Sequence, residues 1–228
     1  MKNVLLLNLG SPKSLKTKDV RDYLNEFLSD DYVIDLPKLI QQFILRCFIL
    51  PFRPAQAKEA YEQIWDKQGS PLILNTQKIA DALSSKTGWN IKIAMRYQFP
   101  SIKEVIEEFK KESVGEIEVV SLYPHYAMST TLSTAVEVKR IVKEIYPDLK
   151  LNFVKPFYDH PDYIKALSES IKPHLDKFDQ LIFSYHGIPM RHIRKSDVSG
   201  VHCKGDKSCC NTDNEASQKC YRANCYNT

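Results

Sequence analysis

Short apolar runs alternate with longer amphipathic ones along most of this chain. Five runs, Asn3–Asn8, Ile91–Arg96, Glu116–Leu122, Lys150–Val154 and Gln180–Tyr185, are short and rich in valine, isoleucine and leucine. Nearly continuous apolar runs of this length suit strands buried on both faces of a parallel sheet. Between them the apolar period lengthens. In SIKEVIEEFKKES, residues 101–113, the positions Ile102, Val105, Ile106 and Phe109 form one helical stripe. Ser101 followed three residues later by Glu104 predicts a capping box at its start. Leu132, Val138, Ile141, Val142 and Ile145 predict a helix that ends at Pro147, and Ile164, Leu167, Ile171 and Leu175 another, kinked at Pro173. Residues 17–87 read as mostly helical. The alternation predicts an α/β fold with a mainly parallel sheet. The best seam is at 146–150, dividing the chain into 1–148 and 149–228.

Composition adds little to this picture. The 228 residues are 43% hydrophobic and 26% charged, with a net charge of +4, ordinary values for a globular protein and too weakly basic to suggest nucleic acid as a partner. The opening MKNVLLLNLGSP has no signal-peptide pattern, and no run of about 18 apolar residues predicts a membrane span. The greasiest stretch, residues 36–52, is interrupted by Lys38, Gln41, Gln42 and Arg46. It suits either core packing or contact with an apolar substrate or membrane surface.

Ligands of open parallel sheets gather beyond the carboxyl ends of the strands. The ends here carry NLGSP at 8–12, MRYQFP at 95–100, YPHYAMSTT at 123–131 and SYHG at 184–187. On one sheet edge they would bring Leu9, Arg96, Tyr97, His125 and His186 to one cleft. The threonines of the third end are candidates to cap the following helix. Cys47 reads as a small buried hydrophobe. The other five cysteines, Cys203, Cys209, Cys210, Cys220 and Cys225, crowd into the segment 201–228, where apolar residues almost vanish. Without a secretory signal the chain reads as cytoplasmic, and clustered cysteines then point to metal or redox chemistry before disulfides. The paired C-x2-C spacing favoured by zinc is missing. Four thiolates suffice for an iron–sulfur cluster.

Seven stretches, in order, carry a family resemblance: NLGSP, FLSD at 27–30, LPFRP at 50–54, YEQIW with GSPL across 61–72, MRY at 95–97, LYPHYAMSTT at 122–131 and SYHGIPMRH at 184–192. The chain resembles ferrochelatases, which insert ferrous iron into a porphyrin in haem synthesis. One departure is Leu132, where the family pattern continues STT with glycine. The resemblance implies a chelatase-like fold, two Rossmann-like α/β halves around a porphyrin cleft, with the second half incomplete at Thr228. It assigns the catalytic, iron-handling role to His186 and porphyrin contacts to Leu9, Arg53, Tyr61, Ser70, Arg96 and Tyr97. Arg53 or Arg96 would hold the substrate's propionates. It implies no cofactor for the chemistry itself, with Fe(2+) as substrate. By resemblance to bacterial members with an internal cysteine-rich insert, it also implies a [2Fe–2S] cluster on four of the five tail cysteines: Cys203, Cys220, Cys225 and one of Cys209 and Cys210. The rest of the second half, with a glutamate facing the histidine, lies past Thr228 in the family, so this chain by itself is expected to be weakly active or inactive. Peripheral membrane contact through 36–52 is a further expectation. Competing functions are a non-catalytic porphyrin or haem carrier, a cobalt or nickel chelatase of the same fold, and an iron–sulfur sensor.

Overall fold

The computed structural model describes residues 2–228. The chain divides into two units, Met1–Leu122 with Leu132–Val154, and Tyr123–Thr131 with Lys155–Thr228.

The first unit is built on four strands, β1 (Asn3–Gly10), β2 (Asn90–Tyr97), β3 (Glu116–Ser121) and β4 (Lys150–Phe153), all parallel in the order β2-β1-β3-β4. Four of the five predicted strands are therefore formed. The pairing of β4 with β3 ties Lys150–Phe153 into this sheet, so the division of the chain falls after Val154 and not at 146–150.

Both faces of the sheet are covered at its central strand, which is why β1 is a nearly continuous apolar run. On one face Leu5 and Leu7 of β1 pack with Ile102, Val105, Ile106 and Phe109 of α5 (Ile102–Lys111) and with Val138, Ile141 and Val142 of α6 (Ser133–Ile145). On the other, Val4, Leu6, Ile93 and Met95 pack with Ala80, Leu72 and Ile73 of α4 (Pro71–Thr87). Removing a leucine side chain from water stabilises by about 1.5–3 kcal/mol, so the completely buried Leu5 and Leu7 anchor the central strand strongly. The predicted capping box is present: Ser101 Oγ accepts the Glu104 N–H at 3.2 Å, and Glu104 Oε2 accepts the Ser101 N–H at 3.0 Å.

The stretch between β1 and β2 is helical as expected, with α1 (Thr17–Leu28), α2 (Lys38–Ile44) continued by a π-turn at Leu45–Ile49, α3 (Arg53–Glu62) and α4. Leu45 and Gln41 face inward, whereas Leu39 is 87% exposed and Phe43, Phe48 and Phe52 are exposed beside it. The segment 36–52 is thus an apolar ridge and not a core element. Cys47 lies on it, exposed, contrary to the buried position expected. A seven-residue helix with a one-turn extension can turn only one narrow stripe inward, and here Gln41 and Leu45 occupy it.

The second unit contains α7 (Pro161–Ile171), extended by a 3-10 turn at Lys172–Lys177 where Pro173 falls, then α8 (Met190–Ser196), α9 (Glu215–Gln218) and α10 (Tyr221–Asn227). The strand expected at 180–185 is not formed. Residues 179–189 have no regular secondary structure, and Leu181, Ile182 and Phe183 are exposed. A parallel strand is held by hydrogen bonds to neighbours, and among the described residues this unit has no other strand to pair with. Thr130 and Thr131 do not cap α6 either. They lie in a π-turn, Met128–Leu132, and the N-cap position is Leu132.

Candidate active site

In the first unit the carboxyl ends of β1 and β2 lie side by side, with Gly10 in register with Tyr97. This aligns Leu9, Arg96 and Tyr97 on one edge, as the sequence suggests. Gly10 has φ +107°, and a Cβ there would stand 2.0 Å from the Tyr97 carbonyl oxygen. Only glycine fits that approach, which explains the NLGSP pattern at the end of β1.

Tyr97 is buried, and burial pushes its phenol well above the ordinary tyrosine range. Its ring meets Phe27 edge-on at 5.2 Å and Tyr23 at 6.5 Å. Tyr23 in turn meets Tyr61 edge-on at 6.3 Å, and Tyr61 meets Trp65 at 6.1 Å. The aromatic chain brings Tyr61 and Tyr97 into one cluster. Arg53 is exposed at the first position of α3, where Pro54 follows it. Ser70 is buried at the N-cap of α4. Arg96 is held by Asp30 and Ser133, two residues to which the sequence assigned no role. Arg96 Nη2 donates to Asp30 Oδ2 at 2.6 Å and its Nε to Ser133 Oγ at 2.8 Å.

The second unit holds His186 and His125. His186 is exposed and lines a cavity of about 250 Å³ with Tyr185, Met190, Ile193, Tyr221 and Cys225 among its walls. Burial pushes the phenol of Tyr221, on the same cavity wall, up to about 12. His125 is hemmed in by aromatic rings: it stacks on Tyr158 at 6.4 Å and meets Tyr185 and Tyr221 edge-on at 5.4 and 5.8 Å. Its Nε2 pairs with Thr228 Oγ1 at 3.0 Å, and burial lowers its pKa. The strand expected to carry His186 to the edge of Leu9, Arg96 and Tyr97 is not formed, since 180–185 is not one of the four strands of the sheet.

The tail cysteines fall into two groups. Cys203, Cys209, Cys210 and Cys220 line one small pocket with Ile193, Asp197 and Arg222. Cys225 lines the His186 cavity instead. Asp197 organises the approach to Cys203. Burial alone would raise its pKa, but the N–H groups of Ser199, His202 and Cys203 and the Ser199 hydroxyl donate to it and hold it at about 2. Cys210 is pushed up to about 11 by burial and by its sulfur neighbours Cys209 and Cys220, and burial also raises Cys220. Among the described residues no three Cys, His, Asp or Glu side chains stand in metal-binding geometry.

The comparisons agree with the motifs. The ferrochelatase family model matches residues 1–228. Ferrochelatase of Stutzerimonas stutzeri (strain A1501) is 41% identical over 99% of this chain and 67% of its own length. Ferrochelatase of Ectopseudomonas mendocina (strain ymp) is 42% identical over 97% of this chain and 66% of its own, and that of Opitutus terrae 41% identical over 99% and 66%. Fold, ordered motifs and end-to-end match together describe a porphyrin metal chelatase. The chain belongs to the ferrochelatase family. It spans about two thirds of the length of the curated relatives it matches.

Proposed function

We propose that the chain serves ferrochelatase chemistry: Fe(2+) enters a porphyrin, protoporphyrin IX or coproporphyrin III, and two pyrrole protons leave, giving haem or coprohaem. Charge balances, since the dication replaces two protons. The observation that carries this reading is His186, an exposed imidazole on the wall of an aromatic cavity in a chain matched throughout by the ferrochelatase family. Imidazole titrates near neutrality and can also bind a metal. At this position it takes a pyrrole proton at a ring nitrogen and passes it to solvent, freeing a macrocycle nitrogen for iron.

Leu9, Tyr61 and Tyr97 are the apolar and aromatic contacts for the porphyrin face, and Arg53 and Ser70 the polar ones. Arg53 is suited to propionate by its guanidinium and its exposure. The ridge of Leu39, Phe43, Phe48 and Phe52 supports peripheral contact with a membrane in which such a substrate partitions. Among the described residues no helix is long and apolar enough to cross one. We assign the protein to the cytoplasm.

The tail fits a [2Fe–2S] cluster in donor chemistry. Iron is ligated by thiolates, so a cluster bound here would displace the protons that burial and neighbouring sulfurs otherwise keep on these thiols. Cys203, Cys209, Cys210 and Cys220 are the candidate ligands, because they share one pocket. Metal insertion transfers no electrons, so such a cluster is structural or regulatory.

The test is an anaerobic assay of purified protein with ferrous iron and protoporphyrin IX, following porphyrin fluorescence and haem absorbance. His186→Ala is expected to retain porphyrin binding and to lose about 100-fold or more of the insertion rate. Insertion by the unmodified chain is expected to be slow and is followed over single turnovers; porphyrin binding with no insertion on that scale would point to a carrier. Faster insertion of cobalt or nickel would point to another chelatase.

A further inference from the structure

A buried carboxylate is costly unless charged and hydrogen-bonded partners surround it. Asp30, just beyond the end of α1, has a side chain only 4% exposed. Three donors converge on its Oδ2: Arg96 Nη2 at 2.6 Å, the Tyr97 phenol at 2.8 Å and the Ser133 hydroxyl. Its Oδ1 accepts the Tyr32 N–H at 2.7 Å. Ser133 also receives Arg96 Nε, so the serine bridges carboxylate and guanidinium. The Arg96 guanidinium lies 4.5 Å from the centre of the Tyr97 ring, within cation–π range. Arg96 is thus gripped on two edges and over one face, with its charge cancelled at a poorly hydrated place where such pairing is strong. Arg53 contrasts with it, standing exposed at the start of α3.

We infer that Asp30 is a positioning residue that fixes Arg96 and Tyr97 at the carboxyl end of β2 and consumes the charge of Arg96, so that Arg96 does not bind the substrate carboxylates. The inference rests on the porphyrin reading given above. Arg96 acts through the placement of Tyr97, whose hydroxyl shares the same carboxylate oxygen. It behaves as a framework cation, and its loss alone would strand Asp30 uncompensated.

The experiment compares binding of protoporphyrin IX and of its dimethyl ester, by fluorescence, to the full chain and its variants. The unmodified protein is expected to prefer the free acid. Asp30→Leu combined with Arg96→Met replaces the ion pair by apolar groups, a change that buried pairs tolerate better than loss of one partner. This variant is expected to bind both porphyrins more weakly by the same factor, keeping the acid-to-ester preference within about twofold, while Arg53→Met erases about tenfold or more of it. Ser133→Ala keeps the charge pair and removes only the bridge, so it serves if the double variant does not fold. It is expected to weaken acid and ester equally. A preference that collapses in the double variant, or shifts in Ser133→Ala, would overturn the inference and identify Arg96 as the carboxylate clamp, with the functional reading intact. An unmodified protein that binds neither porphyrin would overturn the functional reading and this inference with it.

Discussion

Gly10 faces the carbonyl of Tyr97 so closely that a Cβ at Gly10 would lie 2.0 Å from the oxygen. The two residues are paired in register at the ends of β1 and β2, so the backbone of one element sets the position of a candidate substrate contact on another. Gly10→Ala meets both a steric clash and a positive φ. It is expected to destabilise the first unit by more than about 2 kcal/mol, measured by urea unfolding. An unchanged midpoint would show that β1 and β2 can separate there without cost.

The capping box of α5 offers a milder change. Ser101→Ala removes the acceptor for the Glu104 N–H and leaves the helix face against the sheet untouched. A loss of about 1 kcal/mol is expected. The hydrogen bonds from Ser101 also hold the Glu104 carboxyl below its ordinary range, so NMR titration of Glu104 is expected to move back up in the same variant.

Acid should weaken the second unit through His125. Burial among Tyr158, Tyr185 and Tyr221 lowers its folded pKa, so the unfolded chain takes up the proton more readily. Its contribution is complete above the ordinary histidine pKa of about 6.5 and is lost as pH falls through and below it. The melting temperature is therefore expected to drop between pH 7.5 and 5.5, and His125→Gln to flatten that part of the curve. An identical drop in the variant would assign the effect to other groups.

Cysteine reactivity should separate the thiols by location. Cys47 is exposed on the apolar ridge, whereas Cys209 and Cys210 are buried, the latter pushed up to about 11. Maleimide at neutral pH is expected to modify Cys47 first and Cys210 among the last, followed by peptide mass spectrometry. After anaerobic reconstitution with iron and sulfide, Cys225→Ser is expected to keep the cluster absorbance and Cys220→Ser to lose it. The reverse pattern would move Cys225 into the ligand set.

What the sequence made legible was local. The stripe of Ile102, Val105, Ile106 and Phe109 and the Ser101–Glu104 pair lie within one helix, and each of the four strands declares itself by its own composition. The run Gln180–Tyr185 has the same composition, but a strand is a property of its neighbours, and composition cannot supply them. The exposure of Cys47 likewise depends on which stripe of α2 and its π-turn extension faces inward. Asp30 was least legible of all. It sits in the FLSD motif, yet its partners lie 66, 67 and 103 positions away, beyond the reach of any periodic pattern. The sorting of the tail cysteines into two cavities is another long-range outcome, since Cys220 sits at the N-cap of the short helix that contains Cys225.

The strand order has a consequence for how the protein is made. β1 leaves the ribosome first and is the inner strand between β2 and β3, yet its nearest partner in time is β2, with Asn3 pairing with Asn90 across 87 positions. At translation rates of 5–20 residues per second, β1 waits about 4–17 s for a neighbour. During that interval Leu5 and Leu7 have no sheet to enter, and the intervening helices are the only cover within reach. A nascent chain paused before Asn90 leaves β1 without any partner strand, and one paused after Ser121 has every strand that β1 pairs with.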